Sequence, residues 1–333
     1  MGSFPLVLIG DQVEVSISHV VYDGFLIVVI LAVDLLYIQG QSSIIGKNES
    51  PIVRTISLIQ LVSTNLTLFI SLVWVIYKKS RLQEYLDEMS KFEMLVHPKS
   101  LRLSSRLLLA IFGSLIVLGG LNFLLDSTDG ELPLKIFLYL RVYFTAAMLL
   151  MLIGLFTGMI KIISSAYDEM TSQISDSIGC QRMKNCMKAA EHLVIASESL
   201  NSAFGPQMLS IVSSFFLLLT GNLYLAMAFD EIEYRIMCLI GVIIHFTMLF
   251  HLTSSCSNNM DSASRFNSTV YRRIVNDRTG SLSQELRSCL HFVSNRSAEF
   301  TAFGFFTIDH SLLGSMIAAA ASYLVILIQL GSP

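Results

Sequence analysis

Long apolar runs alternate along this chain with polar stretches that carry most of the charge. A helix needs about 20 mostly apolar residues to cross the hydrocarbon core of a bilayer. Seven segments qualify: roughly residues 20–38, 53–77, 105–126, 135–163, 205–228, 235–256 and 309–330. Inside lipid the backbone must satisfy its own polar groups, so each is expected to be a helix. No sheet signal, internal repeat or low-complexity tract breaks the pattern. The expected fold is an all-α membrane protein with seven transmembrane helices. Between spans, residues 165–203 repeat apolar positions at Met183, Met187, Ala190, Leu193 and Ile195. Residues 282–293 do the same with Leu282, Leu286, Cys289, Leu290 and Val293. Both stretches predict amphipathic helices that carry spans beyond the membrane and pack together.

Composition supports the membrane class. The chain is 53% hydrophobic and 14% charged, against about 25% charged for soluble domains. A net charge of -3 gives no footprint for nucleic acid. Membrane lipids are the first expected partners. The five cysteines show no metal-ligand spacing, and neither a metal nor a cofactor is expected. Met1–Gly10 is apolar but short, without a basic flank or a small-residue cleavage site, so the first span is expected to act as a signal anchor.

Lys and Arg set the orientation. The loop after the second span carries Lys78, Lys79, Arg81, Lys91, Lys99, Arg102 and Arg106. Lys161, Arg182, Lys184 and Lys188 follow the fourth span, and Arg265, Arg272, Arg273, Arg278, Arg287 and Arg296 precede the last. The opposite side holds only Lys47, Arg54, Lys135 and Arg235. This asymmetry predicts a cytoplasmic N-terminus, an extracellular C-terminus and cytoplasmic helical extensions. On that topology no cysteine lies in an extracellular loop, and no structural disulfide is expected.

The last segment reads Ser322-Tyr323-Leu324-Val325-Ile326-Leu327-Ile328-Gln329-Leu330. It resembles the closing signature of insect gustatory receptors, which is Thr-Tyr, five hydrophobic residues and Gln-Phe. Ser322 stands for the Thr and Leu330 for the Phe. Phe300-Thr301-Ala302-Phe303-Gly304-Phe305-Phe306-Thr307-Ile308-Asp309 and Leu312-Leu313-Gly314-Ser315-Met316 also look like that family's approach to its last span. The match covers roughly residues 290–330. Other seven-span classes fit less well. No Asp-Arg-Tyr ends the third span and no Asn-Pro-x-x-Tyr lies in the last, as a G-protein-coupled receptor would have. Only the fifth span holds a proline, Pro206, where transporters pair broken helices. No His-Glu-x-x-His supports an intramembrane enzyme.

The resemblance implies a non-enzymatic, tetrameric, ligand-gated and non-selective cation channel, homomeric or mixed with other gustatory subunits. Residues 1–260 would form six spans with an outer ligand pocket, 261–308 an intracellular anchor segment, and 309–333 the pore-lining helix. The implied location is the plasma membrane of gustatory neuron dendrites. Leu324 stands where the family's sugar receptors carry Glu, which favours a small-molecule tastant of the bitter plant type. A metabotropic receptor and a sugar-responsive channel remain the alternatives.

Tyr323, Ile326, Gln329 and Leu330 recur at i, i+3, i+6 and i+7, on one side of a helix. An amide is disfavoured against lipid, so Gln329 should meet protein or water; interhelical hydrogen bonding would explain it as well. By resemblance, Gln329 and Leu330 would sit at the extracellular mouth of the closed pore, with Ile326 forming or supporting a hydrophobic constriction. The last span has no charge after Asp309, so no charged ring can form within it. Asp309 is either a helix N-cap or an inner-vestibule charge. For the pocket, the outer halves of spans two to six offer Gln60, Asn122, Tyr139, Arg141, Tyr143, Phe144, Asn222 and Tyr224. Tyr139 and Tyr143 share a face and Arg141 points nearly opposite. Arg141 either snorkels or pairs with Asp126, or it serves the pocket. His245 is expected to be a hydrogen-bonded interior histidine, and Trp74 an interfacial residue.

Overall fold

A computed structural model of the chain describes residues 6–9, 12–15, 25, 28, 32, 51–96, 113, 132–175, 180–229, 232–275, 291 and 299–331. A two-stranded antiparallel hairpin comes first, β1 (Leu6–Ile9) against β2 (Gln12–Val15), with Leu6 opposite Val15 and Ile9 opposite Gln12. This corrects the expectation of no sheet. Its signal is in the sequence: Gln12-Val13-Glu14-Val15 alternates with period two, and Gly10-Asp11 separates two short runs.

Among the described residues six continuous helices follow: α1 (Pro51–Tyr77), α2 (Lys79–Val96), α3 (Leu132–Ser175), α4 (Cys180–Ala228), α5 (Ile232–Val275) and α6 (His310–Gly331). Five of them, all but α2, are long and apolar enough to span a membrane. They coincide with five of the seven expected spans. The other two, 20–38 and 105–126, lie outside the described residues. The 49-residue α4 is about 74 Å long at 1.5 Å per residue, against a core of about 30 Å. It and the 44-residue α3 and α5 therefore run far beyond the bilayer, as the amphipathic stretch at 165–203 predicts. The 282–293 stretch lies outside the described residues except for His291, which is helical. α5 runs on through residue 260 without a break.

α4 is the axis of the fold and touches all five other described helices. Pro206 lies inside it. It can give no N–H to the carbonyl four residues back, yet the helix continues because its neighbours hold both halves. The core runs from Phe156, Ile160 and Tyr167 on α3 through Leu193, Phe204, Met208 and Phe215 on α4 to Leu252 and Phe266 on α5. Burying one such side chain contributes about 1.5–3 kcal/mol.

α2 corrects a second expectation, that of a basic loop after the second span. Leu82, Tyr85, Met89, Phe92 and Val96 repeat at steps of three and four and are buried. That stripe packs on α4. On the same face, the Glu88 carboxylate reaches Lys91 Nζ at 2.6 Å and His192 Nδ1 on α4 at 2.6 Å. Burial alone would raise the Glu88 pKa, but the hydrogen bonds from Lys91 and His192 outweigh it and hold the carboxyl below its ordinary range.

Candidate functional site

The segment before α6 is a tight turn built on paired backbone. Thr301 bridges Thr307, Ala302 N–H donates to Phe306 O at 2.9 Å, and Ile308 N–H donates to Phe300 O at 2.8 Å. Phe303 sits at φ +53° and Gly304 at φ +79°. A left-handed Phe is costly and persists only where its surroundings over-determine it. Here Asn201 on α4 clamps Thr301 from two sides, accepting from its N–H at 2.9 Å and donating to its Oγ1 at 3.1 Å. Phe300, Ala302 and Ile308 are fully buried, and the Phe303 ring meets Trp74 edge-on at 5.9 Å. Trp74 thus packs into a contact with the turn, beyond the interfacial position expected of it.

Asp309 caps α6. Its Oδ1 accepts from Ser311 N–H at 2.9 Å, Leu312 N–H at 3.1 Å and Ser311 Oγ at 2.6 Å. The Ser311 hydroxyl bond leads in holding the carboxyl below its usual value, helped by the two amides. Of the two roles open from sequence, the geometry supplies the cap.

α6 has two unlike faces. Leu313, Met316, Ala320, Leu324 and Leu327 turn toward the bundle, the last two onto Val53, Ile56, Tyr224 and Leu225. Ser311, Ser315, Ser322 and Gln329 fall at steps of four, seven and seven on the opposite face, all exposed. Ser315 and Ser322 donate to carbonyls four residues back at 3.1 and 3.0 Å. Among the described residues Gln329 has no hydrogen-bond partner. Ile326 lies beside it and is 48% exposed. Tyr323 turns back toward the bundle, edge-on to Phe216 at 5.9 Å, and Leu330 follows on the same flank, 67% exposed. The four residues expected on one face therefore divide between an outward pair and a flanking pair.

Among the candidate pocket residues, the fold joins Gln60 and Asn222. Gln60 Nε2 donates to Asn222 Oδ1 at 3.3 Å and to Leu218 O at 3.4 Å. Gly221 permits this approach, since a Cβ there would lie 2.3 Å from Gln60 Nε2. Gly241 on α5 does the same for Asn222, with 2.8 Å from a Cβ to its Nδ2. Tyr224 is 5% exposed and packs with Val53 and Ile56, apart from that amide pair. Asn122 lies outside the described residues. Tyr139, Arg141, Tyr143 and Phe144 fall within α3, and their side chains lie outside the description. His245 is an interior histidine as expected; its Nδ1 donates to Gly241 O at 2.6 Å.

A polar seam, not among the expected features, runs between α1 and α4. Below Gln60–Asn222, Ser63 Oγ lies 2.7 Å and Thr67 Oγ1 2.5 Å from Ser214 Oγ. Thr67 also donates to Ser210 O at 3.2 Å, and Gln207 Nε2 donates to Ser71 O at 3.0 Å. Gln60, Ser63, Thr67 and Ser71 at steps of three, four and four are its signal in the sequence. Alongside the seam, a groove of about 720 Å³ opens between the two helices. That size is ordinary for ligand sites.

The profile of the 7tm chemosensory receptor family matches residues 2–332, almost the whole chain. The chain belongs to this family. It is therefore a chemosensory receptor and a multi-pass membrane protein, not an enzyme. The fold of this 7tm chemosensory receptor is similar to that of the insect olfactory receptor OR5 from Machilis hrabei, at 15% identity and TM-score 0.68, over 99% of this chain and 95% of that one. The same olfactory receptor in complex with eugenol matches at 14% identity and TM-score 0.69, with the same coverage. No curated protein matches the chain.

Proposed function

We propose that this receptor is a gustatory receptor: a ligand-gated, non-selective cation channel in which α6 lines a central pore between four subunits. The outward face of α6 carries this reading. A helix that turns its back to lipid keeps polar groups on its protein side. α6 instead lines up Ser311, Ser315, Ser322 and Gln329 on the face turned away from the bundle, beside the exposed Val325 and Ile326, while Leu313, Met316 and Ala320 pack inward. Such a stripe is best accommodated by water or by other copies of the helix. With no charged side chain between Asp309 and Gln329, a ring of amides and hydroxyls would pass hydrated monovalent cations and some Ca²⁺ with little preference. Ile326 and Leu330 supply the apolar constriction.

The basic loops support seven spans with the N-terminus inside and the C-terminus outside the plasma membrane of gustatory neurons. In the related structure eugenol is the bound ligand, a small molecule held by that olfactory receptor. Here the tastant would occupy the outer halves of the helices near Gln60 and Asn222. Leu324 in place of a sugar-type Glu favours bitter plant compounds. Current in excised outside-out patches, without nucleotides, tests the proposal. Evoked cation current on adding bitter plant metabolites is expected. Evoked current that requires a G protein would overturn it.

A further inference from the structure

The groove beside the seam lies off the pocket proposed above. Thr55, Ile59, Val62, Leu66 and Ile70 line it from α1, and Pro206, Leu209, Ser213 and Leu217 from α4. No charged side chain is among its lining residues. The hydroxyls of Ser63, Thr67 and Ser214 are already bonded to one another, so the groove offers hydrocarbon contact and little else. Its shape is long. From Thr55 to Ile70 the α1 wall runs about 22 Å, and from Pro206 to Leu217 the α4 wall about 16 Å, at 1.5 Å per residue. Half of the hydrocarbon core is about 15 Å. That is the length of a lipid chain, whereas a tastant is compact.

One end is marked by charge. There Phe303 closes the groove and meets Trp74. Lys78 Nζ lies 5.4 Å from the centroid of the Trp74 ring and 5.3 Å from that of Tyr77. Lys79 and Arg81 follow. Among the described residues neither Lys78 nor Lys79 pairs with an acid, and Arg81 pairs with Glu84 at 2.8 Å. Two cations and two amphipathic aromatics at the end of an apolar groove fit a lipid headgroup above its chain.

We propose that this groove binds one acyl chain of an anionic phospholipid, with its headgroup at Lys78 and Lys79. Given the orientation proposed above, the lipid belongs to the cytoplasmic leaflet. The headgroup end of the site matters for function. Phe303 belongs to the turn that ends six residues later in the Asp309 cap, so an occupant of the groove touches the segment that positions α6.

Photolabelling of the purified full-length receptor in nanodiscs tests this. Phosphatidylserine and phosphatidylcholine bearing the same photoreactive acyl chain are compared, and adducts are mapped to peptides. Adducts should concentrate on residues 55–70 and 206–217, with phosphatidylserine preferred. Lys78→Gln and Lys79→Gln should each lower that preference about fivefold, and Ser213→Trp should displace the label by filling the groove. Labelling spread evenly over the lipid-facing helices, or equal for the two lipids, would overturn the proposal. So would capture of a hydrophobic tastant probe in the groove where the lipid probes miss it. Labelling needs no current, so a silent channel and an unlabelled groove are separate failures.

Discussion

Replacing Ser214 by Ala removes the hub of the α1–α4 seam. Ser214 is 2% exposed. Its hydroxyl lies 2.7 Å from Ser63 Oγ, 2.5 Å from Thr67 Oγ1 and 3.2 Å from Ser63 O. Thr67 would keep the carbonyls of Ser63 at 2.9 Å and Ser210 at 3.2 Å. The loss is therefore two side-chain bonds between helices; Thr67 keeps acceptors, and the Ser63 hydroxyl that loses its partner is only half-buried, at the groove wall. Interhelical bonds in membranes average about 0.6 kcal/mol, so S214A should cost about 1.2 kcal/mol, near eightfold in the unfolding equilibrium. S63A should cost about 0.6 kcal/mol by losing one bond. The double variant should then show a coupling energy of about 0.6 kcal/mol. Titration with a denaturing detergent in mixed micelles gives these numbers. Trp74, the only tryptophan, reports from the end of α1 against Phe303. A zero coupling energy would refute the bond assignment. A loss above about 3 kcal/mol would show that Thr67 or Ser63 is left unsatisfied after all.

Asp309→Ala should lower stability by about 1 kcal/mol while Asp309→Ser keeps most of it, read by thermal inactivation in nanodiscs. Because the Asp309 pKa is depressed in the folded chain, the cap's contribution is present above its ordinary value of 3.8 and is lost as pH falls below that. Glu88→Gln should loosen α2 from α4, seen as faster amide exchange over 79–96. The depressed Glu88 carboxyl gives the wild type the same acid-side loss, below its ordinary 4.5, and the variant should lack it. Gly221→Ala places a Cβ 2.3 Å from Gln60 Nε2 and 2.9 Å from Ile56 Cγ2. It should lower the melting temperature, and Gln60→Ala in the same chain should recover part of the loss; equal melting of the single and double variants would refute that contact. Leu330→Phe should reduce constitutive current by closing the α6 mouth more fully, and patch recordings showing no difference from the parent would remove Leu330 from the gate.

Much of this protein is decided by runs of residues close in sequence. Twenty apolar residues in lipid leave the backbone no choice but a helix, so five spans stand where hydropathy places them. The Asp309 cap is equally local, since a carboxylate two and three residues ahead of free amides will bond them. α2 is legible too, in its steps of three and four at Leu82, Tyr85, Met89 and Phe92.

Other features come from partners more than a hundred residues away. Ser63 finds Ser214, Gln60 finds Asn222, and Glu88 finds His192. Which serine on an apolar helix bonds across and which bonds its own turn depends on how closely two helices approach, and Gly221 and Gly241 set that at positions no periodicity marks. Phe303 at φ +53° sits in a turn that Asn201, a hundred residues before Thr301, clamps from α4. For α6, the sequence put Tyr323, Ile326, Gln329 and Leu330 on one side of a helix. Only docking against α1, α4 and α5 decided which side is turned away. Periodicity fixes angles between side chains about one axis, and the rotation of that axis is set by the surface it packs on.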